Sequence, residues 1–304
     1  MIRRNFFLYL SQQKHLRQWM ATHPAARTLT QRFIAGETLE DELAVCAQLQ
    51  AAGMFAALDH LGENITSLDD ARGPVEEYLN ALDKVAARKL PATVSLKLTQ
   101  FGLDLSDEAC VANVQKLVAK AKETGSRVEI DMESSIYTAK TLAIATHLAA
   151  QQGGPIRVVI QAYLYRSEGD IAHMNQCGIP VRLCKGAYNE PAQIAYPKKS
   201  DVDLNYLKLM KQLLDHGAYP AIATHDKKMI DATIRHATEQ GITPDRFEFQ
   251  MLYGIRRDLQ KQIVAKGYRL RLYVPYGSAW YPYFMRRIAE RPANLWFVIS
   301  SLWR

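Results

Sequence analysis

Eight short apolar runs, separated by stretches long enough for helices, constrain this chain more than any other feature. They are MFAAL (54–58), TVSLKL (93–98), RVEIDM (127–132), RVVIQAYL (157–164), PVRLC (180–184), PAIAT (220–224), FEFQML (247–252) and RLRLYV (269–274). The segments between them, such as DEACVANVQKLVAKAKETG and KKMIDATIRHATEQG, repeat with helical period and close on glycine. Alternation of this kind predicts parallel strands joined by crossover helices. Eight repeats predict a closed (β/α)8 TIM-like barrel. LEDELAVCAQLQAAG belongs to a helical stretch over residues 1–50, read as an arm added to the barrel. An open doubly wound sheet fits less well, because no strand leads into a GxGxxG turn. No Pro/Gly/Ser-rich linker interrupts residues 1–304, so a single domain is expected.

Composition narrows the function class only slightly. With 48% hydrophobic and 23% charged residues, the chain can bury a full core. Its formal charge of +7 suits anionic partners in general. The basic residues are interleaved with acids rather than gathered in a stripe, which argues against nucleic-acid binding. Cys46, Cys110, Cys177 and Cys184 show no CxxC spacing, as expected of reduced thiols in a cytoplasmic protein. The N-terminal FFLYL run is too short for a signal peptide or a membrane span.

Chemistry in such barrels sits at the C-terminal strand ends. Those ends carry Asp59, His60, Lys97, Asp131, Glu133, Gln161, Arg182, Lys185, His225, Gln250 and Tyr273. Burying such groups unpaired would be costly, so their recurrence at one end points to a site. Lys97, Arg182 and Lys185 make the predicted mouth cationic, which suits carboxylates or phosphates better than a metal. In RLCKGAY, Gly186 permits close backbone approach beside two cations. Near the C-terminus, YPYFMRRIAE places Arg286 and Arg287 about 100° apart on a helix, with Glu290 in reach of either. On that helix alone a solvated charged face fits as well as an anion clamp. Its position after the last strand favours the clamp.

SLKL, EIDME, VVIQAYL, RLCKGAY, ATHD, FEFQMLYG, RLRLYVPYG and the RRxxE helix, in this order, together resemble the proline dehydrogenases, from about Gly53 to Glu290. The length suits the stand-alone bacterial form. The resemblance implies a distorted TIM-like barrel with its last helix over the mouth, and FAD bound without a Rossmann domain. It implies oxidation of L-proline to 1-pyrroline-5-carboxylate by hydride transfer to flavin N5, the first step of proline catabolism to glutamate. Electrons would pass to a membrane quinone.

Carried onto this sequence, the resemblance implies that Arg286 and Arg287 hold the proline carboxylate with Lys97 as a third cation. Leu252 and Tyr273 would wall the ring, and Glu290 would brace the arginines. Arg182 would lie near flavin N5, with Asp131 beside it as a catalytic residue. Met132, Gln161, Lys185, Gly186, Ala187, Thr224 and His225 would hold the rest of the FAD. Cys184 departs from the aliphatic residue expected before KGAY, and the tail after the arginine helix is short. Hydroxyproline or another cyclic imino acid fits the same chemistry. A metal-dependent aldolase or hydrolase using Asp131, Glu133 and His225 is the reading from another class. The ends MIRRNFFLYL and LWFVISSLWR suit peripheral contact with a membrane surface, and equally suit packing on the barrel.

Overall fold

A computed structural model describes residues 30–62 and 65–290, with residues 152 and 286–290 described for their backbone alone. Eight parallel strands close into one barrel in sequence order. They are β1 Phe55–His60, β2 Ala92–Leu96, β3 Val128–Ile130, β4 Ile156–Gln161, β5 Val181–Cys184, β6 Ala221–Ala223, β7 Glu248–Leu252 and β8 Leu270–Tyr276. Closure is made by β1 against β8, in a register that sets Ala57 beside Tyr273. All eight expected strands are present. β4 stops at Gln161, and Leu164 instead bridges to Ala195 in the following loop. β8 runs on to Tyr276, so Tyr273 lies inside the strand rather than at its end.

Helices α1 Leu39–Ala51, α2 Arg72–Ala87, α3 Asp107–Glu123, α4 Ser135–Gln152, α5 Ser167–Gln176, α6 Lys199–His216, α7 Lys227–Glu239, α8 Arg257–Ala265 and α9 Trp280–Glu290 fill the connections. Local sequence explains their limits. In α3 the Ser106 hydroxyl accepts from the Ala109 N–H at 3.2 Å, acids fill the first turn, and Lys120 and Lys122 the last. Its inner face is Cys110, Val114, Leu117, Val118 and Ala121. Each larger apolar side chain there stabilises the fold by about 1.5–3 kcal/mol. Gly125, at φ 68°, ends the helix in a conformation that would strain other residues.

Two helices depart from the regular barrel. Helix α1, begun by a Thr38–Asp41 capping box, packs against β1 and β8, over the seam that a regular eighth helix would cover. Helix α9 instead starts at the mouth end of β8, just past Gly277, whose Cα faces the His60 ring. The arm expected over residues 1–50 is helical in α1, and residues 1–29 lie outside the described residues. MIRRNFFLYL and LWFVISSLWR, the two ends expected to suit a membrane surface, both lie outside the described residues. Among the described residues, no helix is long and apolar enough to cross a membrane.

Glu42 on α1 is fully buried, with both carboxyl oxygens unpaired among the described residues. Burial first, then the nearby Asp59 carboxylate, pushes its pKa well above the usual carboxylate range. It therefore holds its proton to higher pH than the unfolded chain does, where the ordinary value is 4.5. A raised carboxyl pKa withdraws stability as pH climbs above that unfolded value. Glu42→Gln is expected to raise the melting temperature at pH 7 and to lose its advantage below about pH 4.5. Thermal melts across pH 4–8 test this, and a constant offset would refute it.

Candidate active site

The barrel interior is charged. Glu129 of β3, Arg157 of β4, Arg182 of β5, Glu248 of β7 and Arg271 of β8 are all buried. Arg157 Nη1 reaches across to Glu248 at 2.6 Å and Glu129 at 3.2 Å, while Arg271 Nε donates to Glu248 at 2.9 Å. Gln250 donates to Glu129 at 3.1 Å and Glu248 at 2.8 Å. Bonds between β3 or β4 and β7 cross the barrel, so these side chains form its core. Burial alone would raise the Glu129 pKa, but Arg157, Arg182 and Arg271 hold it well below the usual range. Against the same burial, Arg271 and Arg157 draw Glu248 down to about 2.

One turn nearer the mouth, Arg182 is fixed on every side. Its Nε and Nη2 donate to Glu129 Oε2 at 3.1 and 2.5 Å, Nη2 also to Ser95 Oγ at 2.9 Å, and Nη1 to Asp131 Oδ1 at 2.7 Å. The Tyr273 hydroxyl donates to the other Asp131 oxygen at 2.6 Å, and the guanidinium lies 5.5 Å from the Tyr273 ring centroid. Asp131, Arg182 and Tyr273 thus form one rigid cluster from three strands. Burial opposes the charge of Arg182, yet Glu129 and Asp131 outweigh it and raise its pKa. Tyr273 is pushed far up, by burial and then by the Asp131 charge, so it stays a proton donor in its hydrogen bond.

The other expected residues ring this cluster. Lys97 follows β2 directly and faces Asp59, Nζ to Oδ1 3.4 Å. Burial raises the Asp59 pKa, with Lys97 opposing. Lys185 Nζ is held between Asp203 at 2.5 Å and Asp226 at 2.9 Å, so its charge is already shared. Gln161 donates to the Glu133 carbonyl at 2.9 Å, and the Glu133 carboxylate is tied to Thr99. His225 Nε2 accepts the Leu252 N–H at 2.8 Å, which places a neutral ring's proton on Nδ1. The Thr224 hydroxyl accepts from the Asp226 N–H at 3.1 Å. Gly186 sits at φ 113° with the Tyr163 ring directly against its Cα, and Gly186 and Ala187 are exposed on the rim. Met132 is buried just beyond β3. Cys184 is half-buried, and burial raises its thiol to about 12, an inert hydrophobe rather than a reactive group. Arg286, Arg287 and Glu290 lie on α9, but their side chains fall outside the described residues.

Sequence reading missed Ser95, Glu129, Arg157, Glu248 and Arg271, and it placed Gln250 at the rim rather than in the interior. A usable signal was present. RVEID, FEFQM and RLRLY alternate polar and apolar residues, whereas strands of a parallel barrel covered on both faces usually read as unbroken apolar runs.

A closed parallel barrel with interlocked polar groups gathered toward its C-terminal rim defines an enzyme of the (β/α)8 class. The family model described as proline dehydrogenase matches residues 43–300. Proline dehydrogenase 2 of Bacillus subtilis (strain 168) is 42% identical over 302 residues, covering 99% of each chain. The proline dehydrogenase of Deinococcus radiodurans is 42% identical over 278 residues, 90% of each chain. The crystal structure of proline utilization A (PutA) from Bdellovibrio bacteriovorus, inactivated by N-propargylglycine, superposes with TM-score 0.81 at 28% identity. That match covers 87% of this chain and 33% of the longer one. The chain belongs to the proline dehydrogenase family and is an oxidoreductase of that activity.

Proposed function

We propose that this enzyme oxidises L-proline to 1-pyrroline-5-carboxylate with FAD as its cofactor, and that a membrane quinone receives the electrons. The observation that carries this reading is the Asp131–Arg182–Tyr273 cluster, a fixed cation, carboxylate and aromatic face at the mouth of a barrel of this family. The rim from β4 to β6 fits a flavin nucleotide by the chemistry of its donors. Gln161, Thr224 and His225 supply amide, hydroxyl and ring nitrogen, Lys185 a cation, and Gly186 a side-chain-free approach. Bound there, FAD supplies the hydride acceptor that no side chain provides.

The residues of the chain do the rest. Arg286 and Arg287, with Lys97, clamp the proline carboxylate and so orient the C–H bond beside nitrogen. Their charge lowers the pKa of the substrate amine, favouring the neutral form that can release hydride. Leu252 and the Tyr273 ring wall the pyrrolidine and exclude water, and Glu290 braces the arginines. Arg182 stabilises negative charge as it develops beside it, and Asp131 keeps the guanidinium and the Tyr273 ring in place. Met132, through its backbone, and Ala187 complete the cofactor's surround.

Anaerobic visible spectra before and after adding L-proline test the whole reading. A yellow protein that bleaches supports it. One that stays oxidised rules out proline as substrate, and a colourless protein that takes up no FAD rules out the cofactor. Two variants separate the roles. Arg286→Ala is expected to raise KM for proline about 10–100-fold, as loss of a charged clamp worth about 1.5–3 kcal/mol would do, with flavin content unchanged. Tyr273→Phe removes one charge-assisted bond from Asp131 while Ser95 and Arg182 remain. It is expected to lower kcat/KM about tenfold with little change in melting temperature. A Tyr273→Phe enzyme with wild-type kinetics would remove the hydroxyl from the mechanism.

A further inference from the structure

At the N-terminal end of the barrel, opposite the catalytic rim, a cavity of about 520 Å³ opens between the starts of β1, β2 and β3. Phe55, Lys89, Thr93, Ser126, Arg127 and Arg271 are among its lining residues. Three of these are cations, and none of the described lining residues is an acid. Arg271 is already committed to Glu248 and to the Ala56 carbonyl. The Ser126 and Thr93 hydroxyls are likewise engaged, with Ala92 O and Glu129.

Arg127 is different. Its guanidinium makes no ion pair among the described residues, and its Nε is buried with no hydrogen-bond partner there. It lies 5.6 Å from the ring centroid of Tyr219, a residue held at φ 51° that meets two further guanidiniums, Arg157 at 5.4 Å and Arg269 at 5.6 Å. Of the cations around that ring, Arg157 is paired directly with Glu129 and Glu248, whereas Arg127 forms no such pair among the described residues. Burial, and then the like charge of Arg157, lower its pKa, against the opposing pull of the Glu129 and Glu248 carboxylates. Lys89, exposed at the cavity edge and at φ 52°, adds a second positive group.

We propose that this cavity is a binding site for a phosphoryl dianion, held by the guanidinium of Arg127 and the ammonium of Lys89. The guanidinium of Arg127 holds its N–H donors in one plane, a fork that two phosphate oxygens can accept, and a lysine adds a point charge without a fixed direction. Arg271, paired with Glu248, forms the inner wall. The volume exceeds what inorganic phosphate alone fills, leaving room for a small phosphate monoester. The site shares no residue with the proposed proline and flavin contacts, so the proposal stands or falls separately from them.

The test is isothermal titration of the holoenzyme with inorganic phosphate and, separately, with glycerol phosphate, at ionic strength held constant with sodium chloride. Saturable binding is expected for at least one probe, with the tighter of the two identifying the free ion or the monoester as the natural class. Arg127→Gln is expected to abolish the heat. Lys89→Asn, at an exposed position and with a residue that tolerates positive φ, is expected to weaken binding about tenfold without affecting the fold. No saturable heat with either probe in the wild type overturns the proposal. So does binding that persists unchanged in both variants, since it would then lie elsewhere.

Discussion

Arg182→Ala is expected to destabilise the protein by about 3–5 kcal/mol and to slow reduction of bound flavin by proline at least 100-fold. The stability loss follows from what the substitution leaves behind. Glu129 and Asp131 would each lose a short charge-assisted bond inside the barrel, and Ser95 would lose its donor. Breaking a buried pair by removing one partner costs far more than the pair is worth, because the remaining charge is stranded. The functional loss follows from position, since Arg182 is the guanidinium packed beneath Tyr273. Urea melts and anaerobic stopped-flow measurements read the two effects separately. A variant as stable as wild type would contradict the network.

The same network sets the acid limit. Glu248 and Glu129 have depressed pKa values in the folded state, Glu248 at about 2. A depressed carboxyl pKa contributes stability that is fully present above its unfolded value near 4.5 and is lost as pH falls from there toward the folded value. Arg182→Ala weakens the depression at Glu129 and should flatten that part of the wild-type stability profile.

Gly186→Ala is expected to lower FAD affinity about 10–100-fold while leaving the barrel folded. At φ 113° an L side chain is strained, and a Cβ here would penetrate the Tyr163 ring. Tyr163 is packed with Leu164 and Ala195 and does not yield freely, so the Lys185–Ala187 loop must move instead. Because this loop is where the nucleotide is proposed to approach the backbone, displacement should appear as lost flavin rather than lost fold. Gly241→Ala provides the control. It is also at positive φ, 65°, but has nothing within 4 Å of its added Cβ, so it carries the backbone strain alone. Flavin absorbance after dialysis, with circular dichroism on the same samples, distinguishes the two. Equal flavin retention in both variants would mean that the close approach at Gly186 is not part of the cofactor site.

The sequence by itself determined the eight strands, the helices between them and most of the rim. A strand in a closed parallel barrel buries both faces, so VVI, AIA and the like stand out as apolar runs against amphipathic helices. The C-terminal ends of helices were legible for an equally local reason, since Gly125 terminates its helix by chemistry confined to a few residues. Arg182, Asp131 and Tyr273 could be picked out one by one as polar groups at strand ends. Tertiary structure alone decided that they meet, because their bonds join residues up to 142 positions apart. It also decided that Lys97 faces Asp59, that α1 covers the β8–β1 seam in place of an eighth helix, and that Glu129, Arg157, Glu248 and Arg271 neutralise one another inside the barrel. A charge on a strand looks the same in sequence whether water or a distant partner compensates it. Only closure of the barrel brings the partner within hydrogen-bonding distance.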